Sequence, residues 1–365
     1  MKNSDLLVQC LENEVTHIFG VPEENLDVLE SLRTSSITLI TTRNEQTAVF
    51  IAANYGRLTG KPVAIATLGP ATNMVTVAYA HLGAMPVVVI TQKPIKHSKQ
   101  QFQVLDVVAM MKPLTKRATS IVERISSTIR QAWKLAELER PGPVHIELPE
   151  DIAGESIDYL PLPHQKIRRP QIDQKMIELL VTKLQLAKRP IILVGAANRK
   201  RITRYLTQFI KQTNIPFFSS QMKVVDERLD QNLTAALTEH DYIHKAIEQA
   251  DCIIAVHDTI EKPTHIVGSQ HVDLIHINFY PAQTDALYVP HVEVIGDINT
   301  FWQLCEANVD TSHRDHTSIY EQKKIIDQKL QAQTDHALAL KDMTPARCIH
   351  DIHALYADDG IVCLD

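Results

Sequence analysis

The sequence predicts an α/β fold: two consecutive parallel-sheet, three-layer domains and the start of a third. Three observations carry that expectation. Short, continuously apolar runs alternate with longer stretches of helical period, the pattern of strands covered on both faces by helices. The alternation breaks at an unperiodic, proline-containing stretch and then restarts. A chain of 365 residues also exceeds what one ordinary core organises.

Taken in order, MKNSDLLVQCLENEV places Leu7, Cys10, Leu11 and Val15 at helical spacing between acids, which makes it an amphipathic helix rather than a leader peptide. THIFGV, ITLI, VAIAT, PVVVIT and PVHIEL read as strands, with helices in QTAVFIAANYGRL, ATNMVTVAYAHLG and VERISSTIRQAWKLAELE. These form a first domain over residues 1–153. Residues 154–174 mix prolines and charges without a period and read as a linker over the surface. A central α/β domain is expected over residues 175–309. It opens with a helix and continues through the strands PIILVG, IPFF, CIIAV, HVDLIHIN and VEVIGD, with helices in ITRYLTQFIKQ and DYIHKAIEQA. Residues 310–343 connect onward through the long charged helix SIYEQKKIIDQKLQAQTDHALAL. TPARCIHDIHALYADDGIVCLD, residues 344–365, reads as helix then strand, where a third domain begins.

Composition excludes several function classes. A formal charge of -6 and the lack of any Lys/Arg stripe leave no footprint for nucleic acid. No apolar run approaches the roughly 18 residues of a membrane span. Five cysteines, odd in number and far apart, fit a reducing cytoplasm better than a disulfide framework. The seventeen histidines are scattered. His313 and His316 lack the helical spacing or cysteine partners of zinc sites, so they read as solvated loop residues and no metal ligand is assigned.

One short stretch calls for chemistry. TTRNEQTA joins a predicted strand to a predicted helix and sets Glu45 at what looks like a buried junction. Acids are common in the first turn of a helix, where the macrodipole favours them, and Glu45 with Arg43 nearby fits that plain reading. A sharper reading comes from FGVPEENLDVLE, TTRNEQTAVFIAANYGRLTGKP, ATLGPATNMVTVAYAHLGAMPVVVIT, QFQVLDVVAMMKPLTKRA and RPGPVHIELPEDI taken together. In this order and spacing they resemble the pyrimidine-binding domain of thiamine-diphosphate enzymes, most closely the acetolactate synthase large subunit and its keto-acid carboligase and decarboxylase relatives. The second domain resembles that family's central domain.

The resemblance implies a carboligase that decarboxylates pyruvate through a thiamine-diphosphate ylid and joins the product to a second α-keto acid. A keto-acid decarboxylase and a non-catalytic assembly module remain alternatives. By the same resemblance Glu45 is catalytic: its carboxyl meets the pyrimidine ring nitrogen, and an apolar surround would tune its proton. Pro22, Pro70 and Asn73 match loops along the cofactor, and Phe102 and Gln103 match a pair facing the substrate. Phe102 is read equally well as core filling. A lysine is common in biosynthetic relatives at the position of Glu150. FAD is admitted in the central domain through the loop LVGAANRK and Gly195. Homodimers or tetramers are implied as well.

Two departures accompany the resemblance. The chain stops before the Gly-Asp-Gly motif that carries Mg²⁺ and the diphosphate, so the 365 residues are expected not to turn over unaided. Gly296-Asp-Ile-Asn is read as a turn and helix cap instead. Only eleven glycines occur, against about 7% of an average protein, and GVPEE and LGPATN lack a glycine that the family pattern carries.

Overall fold

The computed structural model describes residues 1–21, 26–67, 74–93, 105–138, 140–164, 166–167, 171–195, 199–219, 247, 249–256, 272–282, 289–296, 314–339 and 343–355. Within them the fold is α/β with two sheets, and every strand pair in both is parallel.

The first sheet has six strands in the order β2-β1-β3-β4-β6-β5. They are β1 (His17–Gly20), β2 (Thr38–Thr41), β3 (Val63–Thr67), β4 (Val87–Lys93), β5 (Ala118–Ser120) and β6 (Pro143–Pro149). Their helices are α1 (Asn3–Glu12), α2 (Leu26–Arg33), α3 (Glu45–Thr59), α4 (Met74–Leu82), α5 (Val107–Met111), α6 (Ile125–Glu137) and α7 (Glu150–Gly154).

Alternation along the central strands sends side chains to two separate cores. Val88, Ile90, Val144, Ile146 and Leu148 face α1 and α6, where Leu6, Leu7, Ile125, Ile129 and Trp133 are almost fully buried. Val87 and Val89 face the other way, against Ala48, Val49, Ala52 and Ala53 of α3, Val77 of α4 and Met111 of α5. The alanine stripe lets α3 lie close to the sheet. At Gly56 the approach is closest, since a Cβ there would stand 2.2 Å from the Pro86 carbonyl oxygen. Gly60 then ends α3 in the left-handed conformation at φ 71°, its N–H donating to the Gly56 carbonyl.

The stretch after α7 is pinned to the first unit. Asn3 N–H donates to the Glu155 carbonyl, Ile157 N–H to Met1, and Ser126 Oγ to the Leu160 carbonyl. His164 lies 2.6 Å from the Glu14 carboxylate, and burial pushes the Glu14 pKa up.

The second sheet has five strands in the order β11-β10-β9-β7-β8: β7 (Pro190–Val194), β8 (Phe217–Ser219), β9 (Cys252–Val256), β10 (Asp273–Asn278) and β11 (Val292–Ile295). With α8 (Gln174–Leu186) and α9 (Arg199–Thr213) it buries Leu180, Leu184, Phe209 and Phe217 on one face and Ile191, Ile253 and Phe218 on the other. Two further helices follow, α10 (Thr317–Ala339) and α11 (Pro345–Leu355).

His316 corrects the expectation of a solvated loop. It is 7% exposed and packs its ring edge-on against Tyr320. Arg314 causes this: its guanidinium donates to the carbonyls of Thr213 and Leu184, at the C-terminal ends of α9 and α8, and draws the segment inward. Burial, with the Arg314 charge beside it, pushes the His316 pKa down to about 4. Sequence reading also missed α2, α5, α7 and β5. The three residues of β5 have no period of their own and become a strand by pairing with the outer edge of β6.

Among the described residues Cys10, Cys252 and Cys348 are free thiols, and no helix is long and apolar enough to cross a membrane.

Candidate active site

In a parallel sheet, ligands gather at the C-terminal ends of the strands, above all where the strand order reverses. In the first sheet the reversal lies at β1, flanked by β2 on one side and β3 on the other. The chain segment carrying Pro22 follows β1, Glu45 follows β2, Pro70 and Asn73 follow β3, and Phe102 and Gln103 follow β4. All six sequence candidates therefore come after the C-terminal ends of four adjacent strands. Glu45 lies within the described residues; Pro22, Pro70, Asn73, Phe102 and Gln103 lie outside them.

Glu45 is the first residue of α3, and the local structure explains why the helix begins there. Thr42 N–H donates to the Gly20 carbonyl and finishes the β1–β2 ladder. Asn44 then turns extended, and its Oδ1 accepts from the Thr47 N–H at 2.8 Å and the Thr47 hydroxyl at 2.7 Å. This is an N-cap, worth about 1 kcal/mol. The cap involves no tertiary contact, and the sequence reading passed over it.

The surroundings of Glu45 differ from the expected dry junction. Thr41, Arg43, Asn44, Gln46 and Thr47 are exposed, and Glu45 itself is half-buried. The physical reason is that β2 is an edge strand: even Ile40 is 38% exposed. An apolar surround for the acid is not supplied by β2 or by the start of α3.

Exposed apolar side chains run along α3 and α4. Phe50, Ile51 and Leu58 of α3, and Val75, Tyr79 and Leu82 of α4, stand 36% to 73% exposed, with Phe50 and Tyr79 edge-to-face at 5.2 Å.

A second feature of this edge escaped the sequence reading. On the α3 side of the sheet, Thr91 Oγ1 and His145 Nε2 share a 2.8 Å hydrogen bond, and Lys93 Nζ lies 3.3 Å from Glu147 Oε1. Thr91, His145 and Glu147 are 1%, 0% and 2% exposed. Burial pushes the His145 pKa down to about 4, so this ring is neutral at ordinary pH. The signal was present in PVHIEL, where two polar residues occupy alternate positions of a strand otherwise wholly apolar.

In the central sheet the N–H of Gly195 donates to the Val256 carbonyl. That donor is spent on the β7–β9 ladder and is not open to a phosphate, so the one described glycine of the candidate FAD loop does not fit that role. The Gly296 N–H is likewise spent on the Asn278 carbonyl. No three His, Cys, Asp or Glu side chains among the described residues converge as a metal site.

Comparison with known proteins agrees with this geometry. Residues 1–110 match the family described as thiamine pyrophosphate enzyme, N-terminal TPP binding domain, and residues 177–304 match the thiamine pyrophosphate enzyme central domain. The chain is 29% identical to an acetolactate synthase of Bacillus subtilis over 81% of its own length and 55% of the relative's. It is 31% identical to a catabolic acetolactate synthase of Raoultella terrigena, covering 81% and 56%. With a probable acetolactate synthase large subunit of Methanocaldococcus jannaschii it shares 30% identity, covering 89% and 60%. The chain thus spans about half the length of the curated relatives it matches. Two parallel sheets, an acid opening the helix after an edge strand, and matches to two successive domains of one family agree: the chain belongs to the thiamine pyrophosphate enzymes, of which it carries the N-terminal TPP binding domain and the central domain.

Proposed function

We propose that this chain provides the cofactor-activating half of a thiamine-diphosphate-dependent carboligase of the acetolactate synthase kind, which joins a two-carbon unit from pyruvate to a second α-keto acid. The observation that carries the reading is Glu45 itself, a half-buried carboxyl at the start of a capped helix on the ligand-binding edge of the TPP-domain sheet.

Thiamine diphosphate, when bound, supplies the electron sink that lets a keto acid lose carbon dioxide and pass on its remaining carbons. The chain's own residues prepare that chemistry. Glu45 would present its carboxyl to the pyrimidine ring nitrogen, and the Asn44 cap keeps its backbone in place. Pro22, Pro70 and Asn73 are assigned to the cofactor loops, and Phe102 and Gln103 to the substrate side. The exposed apolar side chains of α3 and α4 support pairing of two chains over this edge, which would also give Glu45 its missing dry surround. The reading puts the enzyme in the cytoplasm, and Mg²⁺ would be held by residues other than those described. FAD is not assigned through Gly195.

The test is product analysis of the complete enzyme in which this half works, given thiamine diphosphate, Mg²⁺ and pyruvate. Acetolactate is the expected product, and Glu45→Gln should lower its formation about 10²- to 10³-fold, the usual reach of acid–base catalysis. Acetaldehyde in its place would make the protein a decarboxylase. Neither product would favour an assembly module that keeps the pairing surface.

A further inference from the structure

A polar ladder inside a hydrophobic layer calls for a reason, because burying a carboxylate or an imidazole without full hydrogen bonding is unfavourable. On β4 the residues 87, 89, 91 and 93 share one face, as do 145 and 147 on β6. The inner members of that face, Val87 and Val89, pack against α3. Toward the C-terminal edge the same face turns polar, first with Thr91 and His145, then with Lys93 and Glu147. Glu45 opens α3 on this face and at this edge.

The ladder produces a cation with a fixed position. A lysine at the end of a strand ordinarily wanders, because its stem has four rotatable bonds and its ammonium is well hydrated. Here one donor of Lys93 is directed at a carboxylate that is itself only 2% exposed, while the Lys93 side chain remains 45% exposed toward the edge. Val144, Ile146 and Leu148 bury the opposite face of β6 and hold the strand that carries Glu147.

We infer that Lys93 binds the carboxylate of the acceptor keto acid, with Glu147 as the positioning residue that holds its ammonium. The inference rests on the carboligase reading above and adds a substrate-recognising residue to it. The choice of acceptor over donor follows from charge. A donor keto acid loses its carboxylate as carbon dioxide, so a cation on that group would stabilise the ground state more than the transition state and slow the step. The acceptor's carboxylate survives into the product. A fixed cation there orients the acceptor without that penalty.

The experiment compares equilibrium binding of pyruvate and of methyl pyruvate, which has the same keto group and no charge, to the 365-residue protein by ligand-observed NMR. The native chain should prefer pyruvate by about tenfold, the scale of a charge-assisted contact at a half-exposed site. Lys93→Met should bring the ratio close to one, and Lys93→Arg should retain most of it. Because Lys93→Met leaves Glu147 buried without its partner, the double variant Lys93→Met/Glu147→Gln is measured as well. It removes both charges, and circular dichroism confirms its fold. Arg43→Gln, on the exposed turn before α3, should keep the full preference.

A native protein with no preference, or a double variant that keeps it, would overturn the inference. So would loss of the preference in Arg43→Gln alone. The acetolactate assay separates the two readings. A preference without acetolactate keeps the carboxylate site and overturns its assignment to a carboligation acceptor; acetolactate without a preference removes Lys93 from the site.

Discussion

The two faces of the first sheet are built from the same strands and differ in almost everything else. The face under α1 and α6 is apolar over Val88, Ile90, Val144, Ile146 and Leu148, closed by Leu6, Leu7, Ile125, Ile129 and Trp133, and its one buried polar side chain on β4 is the neutral amide of Gln92. The face under α3, α4 and α5 starts apolar at Val87 and Val89 and becomes polar at Thr91, His145 and Glu147. Its helices approach on alanines, and their outer sides show Phe50, Val75 and Tyr79 to the surroundings. One face is scaffold. The other gives up dry packing at the edge where ligands bind, and it does so with side chains that a scaffold has no use for.

The comparison can be broken first at its strongest point. Trp133→Ala on the scaffold face removes a ring that is 3% exposed and leaves a cavity, with an expected loss of about 3–5 kcal/mol in urea unfolding. The ratio of pyruvate to methyl pyruvate binding should not move. If it moved with the stability, the two faces would not be functionally separate.

Acid titration sharpens the contrast. Burial lowers the folded pKa of His145 to about 4, from the ordinary histidine value of about 6.5. Above the unfolded value both states are neutral and the residue leaves stability unaffected by pH. As pH falls from 6.5 toward 4 the unfolded chain takes up the proton and the folded chain does not, so stability declines by up to about 1.4 kcal/mol per pH unit. His316, lowered to about 4 in the second unit, adds a similar slope. His145→Gln should remove its share of the acid slope in denaturant titrations between these pH values and leave the share from His316. An unchanged slope would mean that the ring is not held neutral by its burial.

The smallest effect is expected at the helix start. Asn44→Ala loses the cap of α3 and should cost about 1 kcal/mol. It should also weaken thiamine-diphosphate binding more than an equally destabilising change on α6 does, because the cap fixes the backbone of Glu45. Equal effects of the two on binding would put Glu45 outside the cofactor site.

Much of this molecule was legible before any coordinates. Apolar runs identified the strands β3, β4, β6, β7, β9 and β10, since a strand at the centre of a parallel sheet is covered by helices on both sides and carries few polar residues. TTRNEQTA announced the junction and the acid, because an acid in the first turn of a helix is a local preference set by the helix end. The dryness of that junction was misread, as edge and centre differ only in strand order, and strand order is a property of pairing. His316 was misread for a similar reason: Arg314 two residues earlier buries it by reaching the ends of two helices far away in the chain.

By itself, then, the sequence determined the α/β class, the alternation, the parallel sheets and Glu45 as the acid of the strand-to-helix turn. All of these follow from apolar period and from the preference for acids at helix starts, which act over a few residues. Tertiary structure alone decided that β2 lies at the edge and leaves Glu45 half-buried. It also decided that Thr91, His145, Lys93 and Glu147 form one ladder on the α3 face. Those outcomes depend on which strands become neighbours, and residues more than fifty positions apart become neighbours only when the sheet closes.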